Sequence, residues 1–358
     1  MSSTTCSGSP SITAWTAISP FGLGRAALTR ALRTGEAAPA TRASARLPPH
    51  TAHLVPDFDP RALLGRKGTR AMDRVSGLAV VAARDLVAVL GAADDPARTA
   101  VVLATAGSTQ AMRDFTRSSL RAARPFHVNP AVIPSGVPNC AAGLVAIWHG
   151  LTGPNTTIST GRTDALAALS YARRLLDNGR ADRVVVGAVE EYSHTRALLE
   201  TRHDQPENAS GAIGEGCALF LLESGASAPN RRPLVDVLHT AHRAFPAAGP
   251  TTELRDCVQE ALEACDLAPD QVWAVVASPA AGDLGRYEKH VLDGLFGPDA
   301  TARIPPLSCG DAGSASAALQ IAAVLATPLP GHTDVAVIVT AVAVTGTISC
   351  AVLRRSAQ

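Results

Sequence analysis

The chain has 358 residues, with 32 Lys and Arg against 31 Asp and Glu, a formal net charge of +1, 46% hydrophobic residues and 18% charged ones. So much apolar material supplies a large buried core and excludes a mainly disordered chain. The balanced charge argues against a nucleic-acid or anionic-membrane surface, and the 4% aromatic content against a platform for stacked bases. The length suits two domain-sized units or one large duplicated fold.

In chain order, residues 11–18 read as a strand ending at Ser19-Pro20, and residues 35–70, rich in Pro, Ala and Arg, as a long surface excursion. Residues 73–90 carry apolar positions at helical spacing (Leu78, Val81, Leu86, Val89), and residues 100–104 form a buried strand. Residues 125–161 contain no Asp, Glu, Lys or Arg, and five prolines punctuate them. A surface loop does not normally avoid charge for so long, so this stretch is expected to be buried within the fold, within an oligomer interface, or both. Asn139 is placed to cap a helix over 140–149. A strand at 156–159, a helix at 163–178 and strands at 183–189 and 217–223 follow.

The pattern then restarts with a strand at 234–238, a helix at 253–265, a strand at 272–277, helices at 287–295 and 312–325, and an uncharged run at 335–353. That run approaches the length of a membrane span, but its Val/Thr content and the break at Thr345-Gly346-Thr347 predict two strands and a turn. The turn Gly161-Arg162-Thr163-Asp164 and the turn Gly310-Asp311-Ala312-Gly313 each open an Ala-rich helix that leads to a Val-rich strand. This echo divides the chain into halves at 1–228 and 229–358 and suggests a duplicated α/β unit.

Little conventional catalytic apparatus is visible. Gly22-Leu23-Gly24-Arg25-Ala26-Ala27 has dinucleotide-fingerprint spacing, but residues 37–56 hold no acid to meet a ribose, so it reads as a tight strand-to-helix turn. The seven cysteines form no CxxC, and His239 and His242 lack a third ligand. No metal and no cofactor are expected, and the odd, scattered thiols suggest a reduced cytoplasmic protein. The N-terminal ten residues lack the basic-then-apolar order of a signal peptide. Cys140, at a helix start, and Cys309 could be nucleophiles in principle, but neither has an identifiable base, and both read as small core residues.

Several segments, in order, resemble β-ketoacyl-ACP synthases: Ser19-Pro20-Phe21-Gly22, Met72-Asp73-Arg74, Pro138-Asn139-Cys140-Ala141-Ala142-Gly143, His149-Gly150-Leu151-Thr152-Gly153-Pro154-Asn155, the strand ending at Glu191, and Gly214-Glu215-Gly216-Cys217-Ala218. The resemblance implies the thiolase fold, a duplicated five-layer αβαβα arrangement. Active members carry a cysteine nucleophile in a T-A-C-x-S run, which here is Thr160-Gly161-Arg162-Thr163-Asp164, so Arg162 stands at the cysteine position. The two family histidines align with Ser278 and Gly310.

Scaffold motifs without the catalytic triad resemble a chain-length factor, the non-catalytic subunit of a type II polyketide ketosynthase. That resemblance implies a heterodimer, or a dimer of heterodimers, with a catalytic ketosynthase, and acyl carrier protein served through the complex. It implies neither a nucleic-acid nor a membrane partner. Phe126, Val128, Ala131, Val132, Ile133, Val137 and Asn139 would line the tunnel and the interface, with the small Ala131 and Val132 leaving a deep tunnel or simply packing the dimer. Arg162 would pair with Asp311 to fill the vacated site, or else order its loop through carbonyls or Asp164. Balanced charge offers no obvious landing patch for an acidic carrier. The alternative is an independent, divergent thiolase-fold acyltransferase or malonyl-ACP decarboxylase using another thiol.

Overall fold

The structure, a computed structural model, describes residues 8–42, 51–70, 72–91, 94–203, 212–224, 231–329, 331 and 333–357. Cys6 and the proposed boundary between 228 and 229 lie outside them.

The first half contributes strands β1 (Ser11–Ser19), β2 (Thr99–Ala104), β3 (Asn155–Ile158), β4 (Arg183–Glu190) and β5 (Gly216–Glu223). The second contributes β6 (Val235–Ala244), β7 (Val272–Val276), β8 (Val335–Ala343) and β9 (Thr347–Arg355). In the first half the spatial order is β1-β5-β4-β2-β3, and in the second β6-β9-β8-β7. The directions repeat as well. Each half runs through two antiparallel pairs, β1/β5 and β5/β4 or β6/β9 and β9/β8, and then a parallel pair, β4/β2 or β8/β7. The halves meet where β1 pairs antiparallel with β6 through Ser11↔Asp236 and Ile12↔Val235.

Strand alternation assigns side chains to layers. On β2, Ala100, Val102 and Ala104 point to a central core, while Val101 and Leu103 point to an outer one. On β8, Val337 and Val339 join the same central core, and Ile338 and Val342 a different outer one. Helices α2 (Arg74–Val87) and α4 (Cys140–His149) cover the first outer face; α7 (Glu253–Glu263) and α8 (Gly282–Phe296) cover the second. Helices α5 (Asp164–Asp177) and α9 (Ser316–Ala326) fill the centre. All eleven residues of α9 are buried, which is why it is apolar all round rather than amphipathic. The result is the expected five-layer αβαβα thiolase-like fold.

Several local expectations are corrected. Residues 35–70 are more than a surface excursion. Short strands Thr41–Arg42 and Thr51–His53 join Ala212–Gly214 in a small sheet, and Ala52, Val55 and Phe58 are buried. Glu215 anchors this region, accepting from Val55 N at 2.7 Å, Tyr192 N at 3.0 Å and Arg74 Nε at 2.8 Å. Two further helices interrupt what reads as loop, α3 (Thr109–Arg121) and α6 (His194–His203). Helix α3 begins at a Ser108 cap, whose hydroxyl accepts from Ala111 N at 3.1 Å, yet buries none of its residues. Asn139 has helical backbone angles and its side chain makes no capping bond, so α4 starts without the predicted cap. The run at 335–353 is two strands turning at Gly346, whose φ of +89° glycine adopts without strain. Among the described residues no single helix is long and apolar enough to cross a membrane.

Candidate functional site

The N-termini of the two central helices approach each other, so the turns that open them build one site. Asp164, the first residue of α5, is fully buried. Its Oδ1 accepts from Thr160 N at 2.7 Å and Thr160 Oγ1 at 2.5 Å, while Oδ2 accepts from Ser314 Oγ at 3.0 Å. One carboxylate thus ties the turn at 160–164 to the turn ahead of α9.

Arg162 projects from the first turn and forms an ion pair with Asp311 from the second. Asp311 is enclosed and thoroughly bonded. Its Oδ1 accepts from Gly313 N at 2.9 Å and Ser316 Oγ at 3.0 Å. Its main chain pairs with the strand at Ala212–Gly214, donating to Ala212 O at 2.9 Å and accepting from Gly214 N at 2.8 Å. Burial alone would raise its pKa, but the Arg162 charge and hydrogen bond outweigh burial and hold it below the usual carboxylate range. Arg196, from α6, is a second buried guanidinium. It donates to Glu191 O at 2.9 Å, Gly214 O at 2.8 Å and Asp311 O at 3.0 Å, and pairs with Glu200 at 2.6 Å. It therefore joins the end of β4, α6, the strand at Ala212–Gly214 and the turn at 310–313.

Arg162, Glu190, Arg196, Glu200 and Asp311 line a cavity of about 270 Å³, whose rim includes Leu199 and Val344. Ser278 and Gly310 line a separate, mainly apolar cavity of about 100 Å³ with Cys309 and Gln320. Ser278 Oγ donates to Glu288, a carboxyl pushed up by burial. Gly310 has φ +72°, and a Cβ there would lie 2.9–3.0 Å from backbone atoms of Gly214, Ala212 and Ile213. No imidazole can stand at that position without moving the strand. The side chain facing Arg162 belongs to Asp311, one residue on.

The site holds no acylation machinery. A protonated guanidinium locked to a carboxylate has no electron pair to attack a thioester. Cys140 is raised by burial and by Asp73, and burial pushes the Cys309 thiol up to about 12. Neither is poised as a thiolate at neutral pH. Among the described residues no group of three His, Cys, Asp or Glu is arranged to hold a metal ion.

The residues expected at a tunnel or interface are not brought to this cavity. Phe126, Ala131, Val132, Ile133, Val137 and Asn139 are exposed and Val128 is half-buried, so the first part of the uncharged stretch, 126–139, is left largely uncovered within this chain, whereas Ala141, Ala142, Val145 and Leu151 are buried. Phe126 is 71% and Ile133 47% exposed; Ile147 of the adjoining α4 is 79% exposed. Beside them β3 forms one end of the sheet order. Helix α3 and its extension present Arg113, Arg117, Arg121 and Arg124 outward. Arg113, Arg117 and Arg121, four residues apart, share one helical face, a basic stripe that the overall charge balance had hidden, and Arg124 follows beyond the helix end.

This fold, with its paired central helix termini, is a thiolase-like scaffold, and Arg162 lies in the turn that opens its first central helix. Residues 11–228 match the family model described as Beta-ketoacyl synthase, N-terminal domain. The solved structure described as the ishigamide ketosynthase/chain length factor shares 40% identity and superposes with a TM-score of 0.90, covering 98% of this chain and 100% of that one. The 3-oxoacyl-[acyl-carrier-protein] synthase 2 of Coxiella burnetii is 27% identical over 80% of this chain and 77% of its own. The oxytetracycline polyketide putative beta-ketoacyl synthase 1 of Streptomyces rimosus is 31% identical over 63% of this chain and 61% of its own. The chain belongs to the β-ketoacyl synthase family.

Proposed function

We propose that this chain is a chain-length factor, the non-catalytic subunit that pairs with a catalytic ketosynthase and shapes the tunnel holding the growing polyketide. The observation that carries this reading is Arg162 at the nucleophile position, ion-paired to Asp311. We assign the lost histidines to Ser278 and to the Gly310-Asp311 step, with Asp311 taking the place that faces Arg162. The partner supplies the reactive cysteine and its histidines. On this reading the chain divides into halves at 1–228 and 229–358, and the complex is cytoplasmic.

The surface supports an obligate partner. An end strand offers unpaired N–H and C=O groups, and β3, Asn155–Ile158, carries no charge to repel a second sheet. The adjoining exposed Phe126, Ile133, Val137 and Ile147 gain by leaving water, at about 25 cal/mol for each Å² buried. Once covered, the segment 126–139 faces both the partner and the end of its acyl tunnel, where the small side chains of Ala131 and Val132 leave depth. The Arg113, Arg117 and Arg121 stripe suits the acidic surface of an acyl carrier protein. A dimer of heterodimers is the larger assembly we propose.

Co-expression with candidate catalytic ketosynthases tests the reading. A stable 1:1 complex required for elongation is expected. A homodimer that ignores every ketosynthase overturns it. Within a working complex, Ala131→Trp or Val132→Trp should shorten the product; unchanged product length removes the tunnel role of these positions.

A further inference from the structure

The two ends of the large sheet are finished differently. In the first half β3 closes the ladder, pairing parallel with β2 from Val101↔Asn155 to Ala104↔Ile158. In the second half β7 is the last strand. Residues 303–307 hold the chain position ahead of the second central turn that β3 holds ahead of the first, but they contain Pro305 and Pro306 and form no strand. Two adjacent prolines have no N–H to donate, so this stretch cannot ladder onto β7.

A side chain takes over part of that work. Gln320, on α9 and 6% exposed, places Nε2 among three carbonyls: Val276 O at 3.2 Å, Ala277 O, and Thr340 O at 3.4 Å. Three acceptors on one side fix which end of the amide is the nitrogen. The other end, Oε1, is buried and has no hydrogen-bond partner. Gln320 lines the cavity of about 100 Å³, together with Ala277, Ile304, Leu319 and Ala323, and no charged residue lines it. The hydroxyls of that cavity are already committed, Ser278 Oγ to Glu288, Thr301 Oγ1 to Asp293 Oδ1 at 2.6 Å and Ser316 Oγ to Asp311 Oδ1 at 3.0 Å. The Cys309 thiol turns to Gly310 O at 3.9 Å. The lining side chains thus bring no donor to Oε1, and a buried acceptor without one is costly. The mouth, at Ala277, Pro279, Pro305 and Pro306, is exposed and uncharged.

We propose that this cavity is a binding site for a small, uncharged aliphatic alcohol, its hydroxyl donating to Gln320 Oε1 and its alkyl body resting against Ile304, Leu319 and Ala323. An alcohol brings one donor to one waiting acceptor and leaves the rest of its surface apolar. An ammonium or a carboxylate would bury a charge that no wall residue balances. Since an apolar cavity of about 150 Å³ accepts benzene, about 100 Å³ suits a molecule of about four heavy atoms. Water fills this space poorly, because each buried water needs several polar partners and the walls are mainly apolar. The site stands apart from the Arg162–Asp311 pair and does not depend on which ketosynthase the chain joins.

The probes are propan-2-ol and acetone, which share a heavy-atom skeleton but differ in that only the alcohol carries a donor. Each is titrated against the full chain while the methyl resonances of Ile304 and Leu319 are followed by NMR. Saturable shifts are expected at a concentration about tenfold lower for propan-2-ol than for acetone, the effect of one hydrogen bond to a buried acceptor. Gln320→Leu should erase that preference. Ala277→Trp, at the exposed mouth, should obstruct both probes without changing the melting temperature, which keeps the test decisive if Gln320→Leu fails to fold. Equal response to the two probes, a preference that survives Gln320→Leu, binding undiminished by Ala277→Trp, or no saturable shift at Ile304 and Leu319 each overturns the proposal. So does a crystal structure at saturating alcohol that shows only water beside Oε1. A negative result leaves formation of the ketosynthase complex unaffected, so the two readings fail separately.

Discussion

The turn at 160–164 and the segment at 125–139 belong to the same half of the fold, and they solve opposite problems. The turn carries charge inward and closes it: Asp164 holds Thr160 and Ser314, and Arg162 holds Asp311. The segment carries no charge and leaves Phe126, Ile133 and Val137 facing water. An enzyme of this fold keeps an open, reactive turn; here the turn is sealed and the unsatisfied surface lies outside. On the proposed reading, this chain contributes through what it covers and is covered by.

Breaking the sealed turn should have the largest effect. Arg162→Ala or Asp311→Ala strands a buried charge and is expected to cost about 3–5 kcal/mol in urea unfolding, whereas the double variant Arg162→Met/Asp311→Leu should recover much of that loss. Equal losses for the single and double variants would mean that the pair itself matters little.

A second effect concerns pH. Burial raises Glu190 and Glu191 from 4.5 to about 7 each. Between those values the folded chain keeps protons that the unfolded chain has released, so the contribution of these two carboxyls to stability is fully present below 4.5 and is lost as pH rises through 7, on the order of 3 kcal/mol for each at the upper limit. Glu190→Gln should remove its share of the slope in unfolding experiments repeated across that window; an unchanged slope would reject the assignment.

The open segment is expected to respond through binding rather than folding. Ile133→Asp should leave the melting temperature of the isolated chain nearly unchanged and weaken the ketosynthase complex by about 2 kcal/mol, read by analytical ultracentrifugation. Reversing Arg117 and Arg121 to Glu should slow capture of acyl carrier protein, with a wild-type rate that falls as salt is added. The smallest effect is expected at Asn139. Because its side chain caps nothing, Asn139→Ala should change stability by less than about 0.5 kcal/mol instead of the usual cost of a lost cap.

Much of the architecture was legible in one dimension because burial on both faces of a strand, or all round a helix, writes itself as an unbroken apolar run. Val184–Val186 and the Ala-rich α9 are such cases, and the repeated turns at 161–164 and 310–313 announced the duplication. Helices α3 and α6 were not legible because both are polar on average and offer few apolar positions to read; α3 buries nothing in this chain. The register at the Gly310-Asp311 step was equally hidden. Sequence offers Gly310 and Asp311 as neighbours, and only the close approach of the strand at Ala212–Gly214 reserves position 310 for glycine.

Sequence alone thus determined the duplicated α/β plan and the uncharged stretch, because composition and local order are enough for each, and the family resemblance supplied the expectation that Arg162 stands where a nucleophile would. Tertiary structure decided which carboxylate meets that arginine, that the Gln320 amide oxygen is left without a donor, and that the arginines of α3 form one exposed stripe. Those depend on distances between residues as far apart in the chain as 162 and 311, and close packing, not chain order, sets such distances.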